Sequence, residues 1–432
     1  MPARNEWHGS DTAVRRQRPP WPTFAAAAAV LIILIIHAFG RTGAFCSPIH
    51  ADSFAFSSFA CRIARGAVLY RDLHIDKPPG LLWLNAVVYL WAPQARWPLI
   101  PMESLALLLG YFAVYKVGRE LYGRPIGIVL AVVTALAVNV FLLTDYTVEG
   151  FNLAESYMVL TASAATLYYI RAHSAGPPRA MALTGAFLGL SLALKQTALP
   201  LLVAVVLHRS LSDLIIARDP RAWARNVAAL GAGSGAVLAP VVAILAVQGV
   251  LGAAVESMTV RALPLLQQMT GWPAGWVDVL PLWVPLAWCA IGLIGWCRYG
   301  LGVRPGRAAH AAVKRRLPSA ANVSFLLLWV ILECVMLVHL PRRSFHYYAL
   351  SSLPVIFLSG LFWAVLQQEL TVTKARSAQY VVAAAAIWSA AFVRPAVDLL
   401  VPTAIARYRT YDAEADQSFF DESLTHANAI VG

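Results

Sequence analysis

Charge is what this chain has least of. Only 13% of its 432 residues are Asp, Glu, Lys or Arg, against about a quarter in a soluble globular protein. That excludes an ordinary soluble domain. The five cysteines (Cys46, Cys61, Cys289, Cys297 and Cys334) include no close CxxC pair, so no thiolate metal centre is signalled. Cys46 and Cys61 fall in one expected external loop, where a disulfide and two thiols both remain open. Internal repeats, low-complexity blocks and Gly-rich phosphate loops are missing too. "GAGSGAVLAP" at 231–240 lies inside an apolar segment, where small residues serve helix packing.

What is present is apolar. Hydrophobic residues make up 59% of the chain, and the mean hydropathy is +0.63. Apolar runs near twenty residues recur, each long enough to cross a bilayer as a helix. The first, Pro22 to Gly40, has a basic flank but precedes further spans, so it reads as a retained helix rather than a signal peptide. The pattern predicts an all-α polytopic membrane protein with eleven spans, at about 22–40, 100–117, 127–144, 155–171, 180–194, 197–208, 227–248, 280–297, 320–339, 345–366 and 378–393. The formal charge of +12 then reflects Lys and Arg gathered in cytoplasmic loops, not nucleic-acid binding. With the N-terminus inside, 21 of the 34 basic residues fall on the cytoplasmic side. Reading 180–208 as one long tilted helix would put the basic loops 298–316 and 374–376 outside. Two short helices dipping around a polar turn at Lys195-Gln196 keep them inside.

The same bias reads 78–97 as an interfacial helix, suited to Trp83, Trp91 and Trp97, and 41–99 as one long external loop. Residues 1–21 form a basic cytoplasmic N-terminus, 22–393 the membrane module and 394–432 a short external tail. This topology brings four polar segments to the outer face, where charges at span entrances point to function. They are "HADSFAFSSFACRIARG" (50–66), "YRDLHIDKPPGLLWL" (70–84), "DYTVEGFNLAES" (145–156) and "PRRSFHYYALSSLP" (341–354). Lys195 joins them from the dipping hairpin. Plainer readings stand beside each. Asp52 and Glu155 suit helix caps, Asp72 and Asp76 solvated loop charges, and Arg342 and Arg343 lipid anchors.

At these residues the chain resembles glycosyltransferase family 39 and related polytopic GT-C transferases, which include protein O-mannosyltransferases and lipid A aminoarabinose transferases. The likeness rests on Asp52 after the first span, on "RGAVLYRDLHIDKPPGLLWLNAVVYLW" (65–91), on "EGFNLAESYMVL" (149–160), on "LGLSLALKQTALP" (188–200) and on "RRSFHYYALSSLPVIFLSG" (342–360). The Lys-Pro-Pro-Gly segment is its most specific part. Many members have Asp-Glu after the first span; here it is Asp52-Ser53, so a divalent cation is possible but not favoured, and no cofactor is assigned.

The resemblance implies an inverting transferase that moves a sugar from a polyprenyl-phosphate donor to a glycan, lipid or protein acceptor on the outer face of the cell membrane. Asp52 is then the candidate general base and Glu155 the second catalytic carboxylate. Lys77, Lys195, Arg342 and Arg343 would hold the donor phosphate, whose charge grows as the glycosidic bond breaks. Arg71, Asp76, Asn152, His346 and Tyr347 complete the expected substrate site, and no metal is assigned. A transporter or flippase is the competing class, with the mid-span Glu333 and the dipping hairpin its best features.

Overall fold

The computed structural model describes residues 28, 30–38, 51–92, 97–144, 152–173, 177–259, 280–300, 317–339 and 345–372. Side chains within these are described except at 51–55, 140–144, 280–285, 298–300, 338–339, 345–348 and 368–372. The helices in chain order are α1 (30–38), α2 (Ala51–Ala64), α3 (Gly80–Tyr89), α4 (Leu99–Tyr122), α5 (Arg124–Thr144), α6 (Ala154–His173), α7 (Pro178–Leu194), α8 (Leu199–Ser210), α9 (Pro220–Val247), α10 (Leu251–Thr259), α11 (Leu280–Gly300), α12 (Ala320–His339) and α13 (Phe345–Val372). A 3-10 turn, Gln196–Ala198, joins α7 to α8, and a π-helical turn, Leu211–Ile216, follows α8. Among the described residues no strand forms beyond an isolated bridge between Leu69 and Leu73.

Proline sets many of the starts. Pro79 and Pro98 stand just before α3 and α4, and α7 and α9 begin on Pro178 and Pro220. A proline in the first turn has a fixed helical φ and lacks only an N–H that would go unpaired there. Asp219 caps α9 by accepting from the Ala222 N–H at 2.9 Å.

The helices run in alternating directions, and side-chain contacts fix this. At one end Lys195, after α7, meets Glu155 in the first turn of α6. At the other end His208 of α8 meets Tyr169 of α6 at 2.5 Å, and Arg209 meets His173 at 3.2 Å. The segment 180–208 therefore turns back on itself as two short helices, as the charge bias requires. Its second arm runs on to Ile216, past the expected limit near 208. Tyr122, ending α4, donates its hydroxyl to Phe357 O of α13 at 2.6 Å. Ser324 of α12 lies 3.1 Å from His208 at that same end, and Ser351 of α13 meets Glu333, nine residues further along α12, so the first turns of α13 lie toward the Lys195 end.

Among the described residues five helical stretches are long and apolar enough to span a bilayer: Leu99–Tyr122, Gln196–Ile216, Pro220–Val247, Ala320–Leu337 and Ala349–Gln367. The other apolar helices include α5 and α11, each 21 residues long, and the shorter α3 and α7; 378–393 lies outside the described residues. At ten residues α3 reaches only about 15 Å, too short to cross. Trp91 beyond its end is 87% exposed.

Small residues let the backbones touch. Gly185 and Gly189 of α7 lie against Leu230 and Ser234 of α9, and Ser234 Oγ donates to Gly185 O at 2.9 Å. A Cβ on Gly233 would strike the Ala182 carbonyl. Gly233 and Ser234 thus form a packing seam within the run 231–240, while Gly231 and Gly235 face open space. Glu333 is also structural. It accepts from Trp329 Nε1 and, across to α13, from Ser351 Oγ, both at 2.8 Å. Cys61 is buried; Cys46 lies outside the described residues.

Candidate functional site

The loop before α3 is built around its own polar groups. Tyr70 has φ +67°, a conformation uncommon outside glycine. Its N–H donates to Leu73 O at 2.9 Å and its hydroxyl to Lys77 O at 2.7 Å. Burial, with Asp76 nearby, pushes the Tyr70 hydroxyl well above its ordinary pKa, so it stays a donor. Asp72 Oδ2 accepts the Val68 N–H at 2.7 Å, and Asp72 Oδ1 accepts Arg71 Nε at 3.0 Å. The Arg71 hydrogen bond, then the Val68 N–H, hold the Asp72 carboxyl below its usual range.

This loop delivers the Lys-Pro-Pro-Gly segment to the end of α7. Gly80 sits so close to Ala193 that a Cβ would come 2.7 Å from its carbonyl carbon. Gln196 Nε2 donates to Asp76 O at 3.4 Å. Lys77 Nζ lies 3.8 Å from Asp76 Oδ2, with its side chain only 15% exposed.

Beside this junction is a buried ion pair. At Lys195 the backbone turns extended (φ −161°, ψ 141°) and α7 stops. The ammonium pairs with Glu155 Oε1; the two side chains are 3% and 1% exposed. Two residues before α6, Asn152 has φ +61° and accepts from Tyr157 OH at 2.9 Å. Ser156, next to Glu155, donates to Glu103 Oε1 of α4 at 2.6 Å. Glu103 is fully buried. The buried pair, and on the next residue of α6 the hydrogen bond to buried Glu103, thus join three chain segments. Ions removed from water persist only when paired and hydrogen-bonded.

The structure therefore brings Asp76, Lys77, Asn152, Glu155 and Lys195 to one end of the bundle. Arg71 is engaged by Asp72 at the loop surface, 60% exposed. Asp52 lies in the first turn of α2, but its side chain is outside the described residues, as are Arg342 and Arg343. The backbone of His346 and Tyr347 opens α13 at the same end; their side chains are likewise outside. Glu103 is a site neighbour outside the motifs that the sequence singles out, while Tyr157 and Gln196 lie inside those motifs without an assigned role. Glu103 had a signal, a lone carboxylate at the head of the apolar run "PMESLALLL". Among the described residues no three His, Cys, Asp or Glu side chains come together to hold a metal ion.

Residues 76–246, which run from this loop through α9, match the sequence family described as dolichyl-phosphate-mannose-protein mannosyltransferase. That is roughly two fifths of the chain. No curated protein matches significantly. Among solved structures, ArnT from Cupriavidus metallidurans bound to undecaprenyl phosphate superposes with a TM-score of 0.53 at 14% identity, over 93% of this chain and 78% of that one. The apo oligosaccharyltransferase from Archaeoglobus fulgidus gives a TM-score of 0.57 at 13% identity, over 89% of this chain and 57% of that one. The chain has the GT-C fold. In this GT-C chain the family match begins at Asp76 and encloses Lys77, Asn152, Glu155 and Lys195. Glu103, Tyr157 and Gln196 lie inside the matched region as well.

Proposed function

We propose that the chain is an inverting glycosyltransferase. It moves a sugar from a polyprenyl-phosphate carrier to an acceptor at the outer face of the membrane. The observation that carries this reading is the buried Lys195–Glu155 pair set against the Lys-Pro-Pro-Gly loop at one end of an apolar bundle. A lipid-linked donor has a tail in hydrocarbon, a phosphate at headgroup level and a sugar in water. It needs cations and a carboxylate at that boundary. The family match and the undecaprenyl phosphate bound to ArnT support the same class of donor.

In this mechanism Lys77, with Arg342 and Arg343, takes the donor phosphate. Charge accumulates there as the carbon–oxygen bond breaks, so these contacts are strongest in the transition state. Lys195 fixes Glu155 and adds positive potential behind the phosphate. Asp52 removes the proton from the attacking acceptor hydroxyl, and Glu155 positions that acceptor. Single displacement needs one base and no covalent intermediate. Asp76, Arg71, Asn152, His346 and Tyr347 shape the sugar and phosphate sites. A divalent cation is assigned no role.

The test is deletion of the chain from its host and restoration with wild type or Asp52→Asn, with expression of both verified. Envelope glycans and lipid-linked sugars are then profiled by mass spectrometry. The expected result is loss of one sugar, accumulation of its polyprenyl-phosphate donor, and rescue by wild type alone. Rescue by Asp52→Asn would remove Asp52 as the base. An unchanged glycan profile, with redundant enzymes excluded, would overturn the transferase reading and favour transport.

A further inference from the structure

We propose a second lipid site, at the end of the bundle opposite the Lys195–Glu155 pair. It takes an anionic glycerophospholipid, one acyl chain lying in a groove between α1, α4 and α5 and the phosphate resting on Arg124 and Lys116. The groove measures about 370 Å³. Ile33, Leu108, Phe112 and Ile128 line its apolar length, with Tyr115 and Arg124 also in its wall. Lys116 Nζ stands 5.5 Å from the centre of the Phe112 ring, over the same wall. An apolar slot with cations at one end complements a lipid whose phosphate carries net negative charge.

Depth separates this site from the transfer site. Glu103, beside the Glu155 turn, and Tyr122 are nineteen residues apart on α4, about 28 Å along the helix. That is close to the thickness of the hydrocarbon core. Arg124 follows Tyr122 by two residues, so its guanidinium lies near the leaflet opposite the buried pair. A polyprenyl-phosphate donor held by Lys77 has its phosphate at the other end. Among the described residues, Glu120, the carboxylate nearest in sequence to both cations, is engaged by Arg171 at 2.6 Å. Phe112 is 56% exposed, so the wall is open to a lipid from the side.

The test uses the purified full-length protein in nanodiscs, with phosphatidylglycerol or phosphatidylcholine carrying the same photoactivatable diazirine acyl chain. Peptide mass spectrometry locates the label. The expected result is phosphatidylglycerol labelling concentrated between residues 108 and 131, with the phosphatidylcholine probe tenfold or more weaker. Each cation is worth roughly fivefold in affinity, so the Lys116→Gln/Arg124→Gln variant should reduce the first signal to the level of the second. An unchanged melting temperature in phosphatidylcholine shows that this variant folds. Equal labelling by both probes, or labelling that survives in the folded double variant, would overturn the proposal. Displacement by equimolar undecaprenyl phosphate would overturn it in favour of the donor's own tail as occupant.

Discussion

Replacing Lys195 with Met leaves Glu155 as a carboxylate at 1% exposure without its ammonium. Removing one member of a buried ion pair costs about 3–5 kcal/mol, because the other charge stays in a low dielectric. Unfolding entropy is about 2.1 cal/mol/K per residue. Over 432 residues that gives roughly 0.9 kcal/mol/K, so the melting temperature should fall by about 3–5 °C. Glu155→Gln alone should cause a similar fall by stranding Lys195. The double variant Glu155→Gln/Lys195→Met has no buried charge at this position. It should recover most of the loss, since a buried pair replaced as a unit is often neutral. The assay is thermal unfolding in a mild detergent, followed by size-exclusion chromatography of the heated samples. Additive losses in the double variant, or single variants within about 1 °C of wild type, would refute a tightly coupled buried pair.

Gly80→Ala should destabilise by about 1–3 kcal/mol and loosen α3 from α7, because a Cβ has no room beside Ala193. Gly231→Ala is the control: nothing lies within 4 Å of its Cβ, and its melting curve should match wild type or rise slightly. Glu333→Ala should cost about 1–3 kcal/mol by orphaning Trp329 Nε1 and Ser351 Oγ, while Glu333→Gln, which still offers one acceptor, should cost less; equal melting temperatures for the two would contradict the helix-linking role. The folded pKa of Asp72 lies below its unfolded value, so its contribution is complete above the unfolded pKa, about 4, and is lost as pH falls through the folded value. Limited proteolysis of the 68–80 loop should therefore quicken in wild type at pH 3 relative to pH 5, and Asp72→Asn should remove that difference.

Much of this was legible in the sequence, for physical reasons that differ by element. Span lengths follow from runs of apolar residues, so α4, α6, α9 and α12 fall close to where periodicity and composition put them. The back-turn at Lys195-Gln196 was legible through charge, because merging its two arms moves basic loops to the wrong side. The partnership of Lys195 with Glu155 was not: the residues are forty apart, and nothing local says that α6 and α7 present them to each other. Glu103 is instructive. A lone acid in an apolar helix is a signal by itself, but its link to Ser156 needs the packing of α4 on α6. The Lys-Pro-Pro-Gly motif is plain in the sequence, but that Gly80 is a point of backbone approach shows only in its contact with Ala193. The second arm outran its expected end near 208 and continues through Ser210 and Asp213. Asp213 accepts from Arg209 and Asn226, so the helical path continues with its polar groups satisfied.

The central claim is that the Lys195–Glu155 junction is where sugar transfer occurs. Its most direct test combines folding with function in the deletion host. The Glu155→Gln/Lys195→Met double variant, shown to melt near wild type, is expressed there and lipid-linked sugars are measured by mass spectrometry. The account predicts that the folded double variant leaves the polyprenyl-phosphate sugar accumulated and the glycan unmodified, as in the deletion. A folded double variant that clears the donor and restores the glycan as wild type does would contradict it.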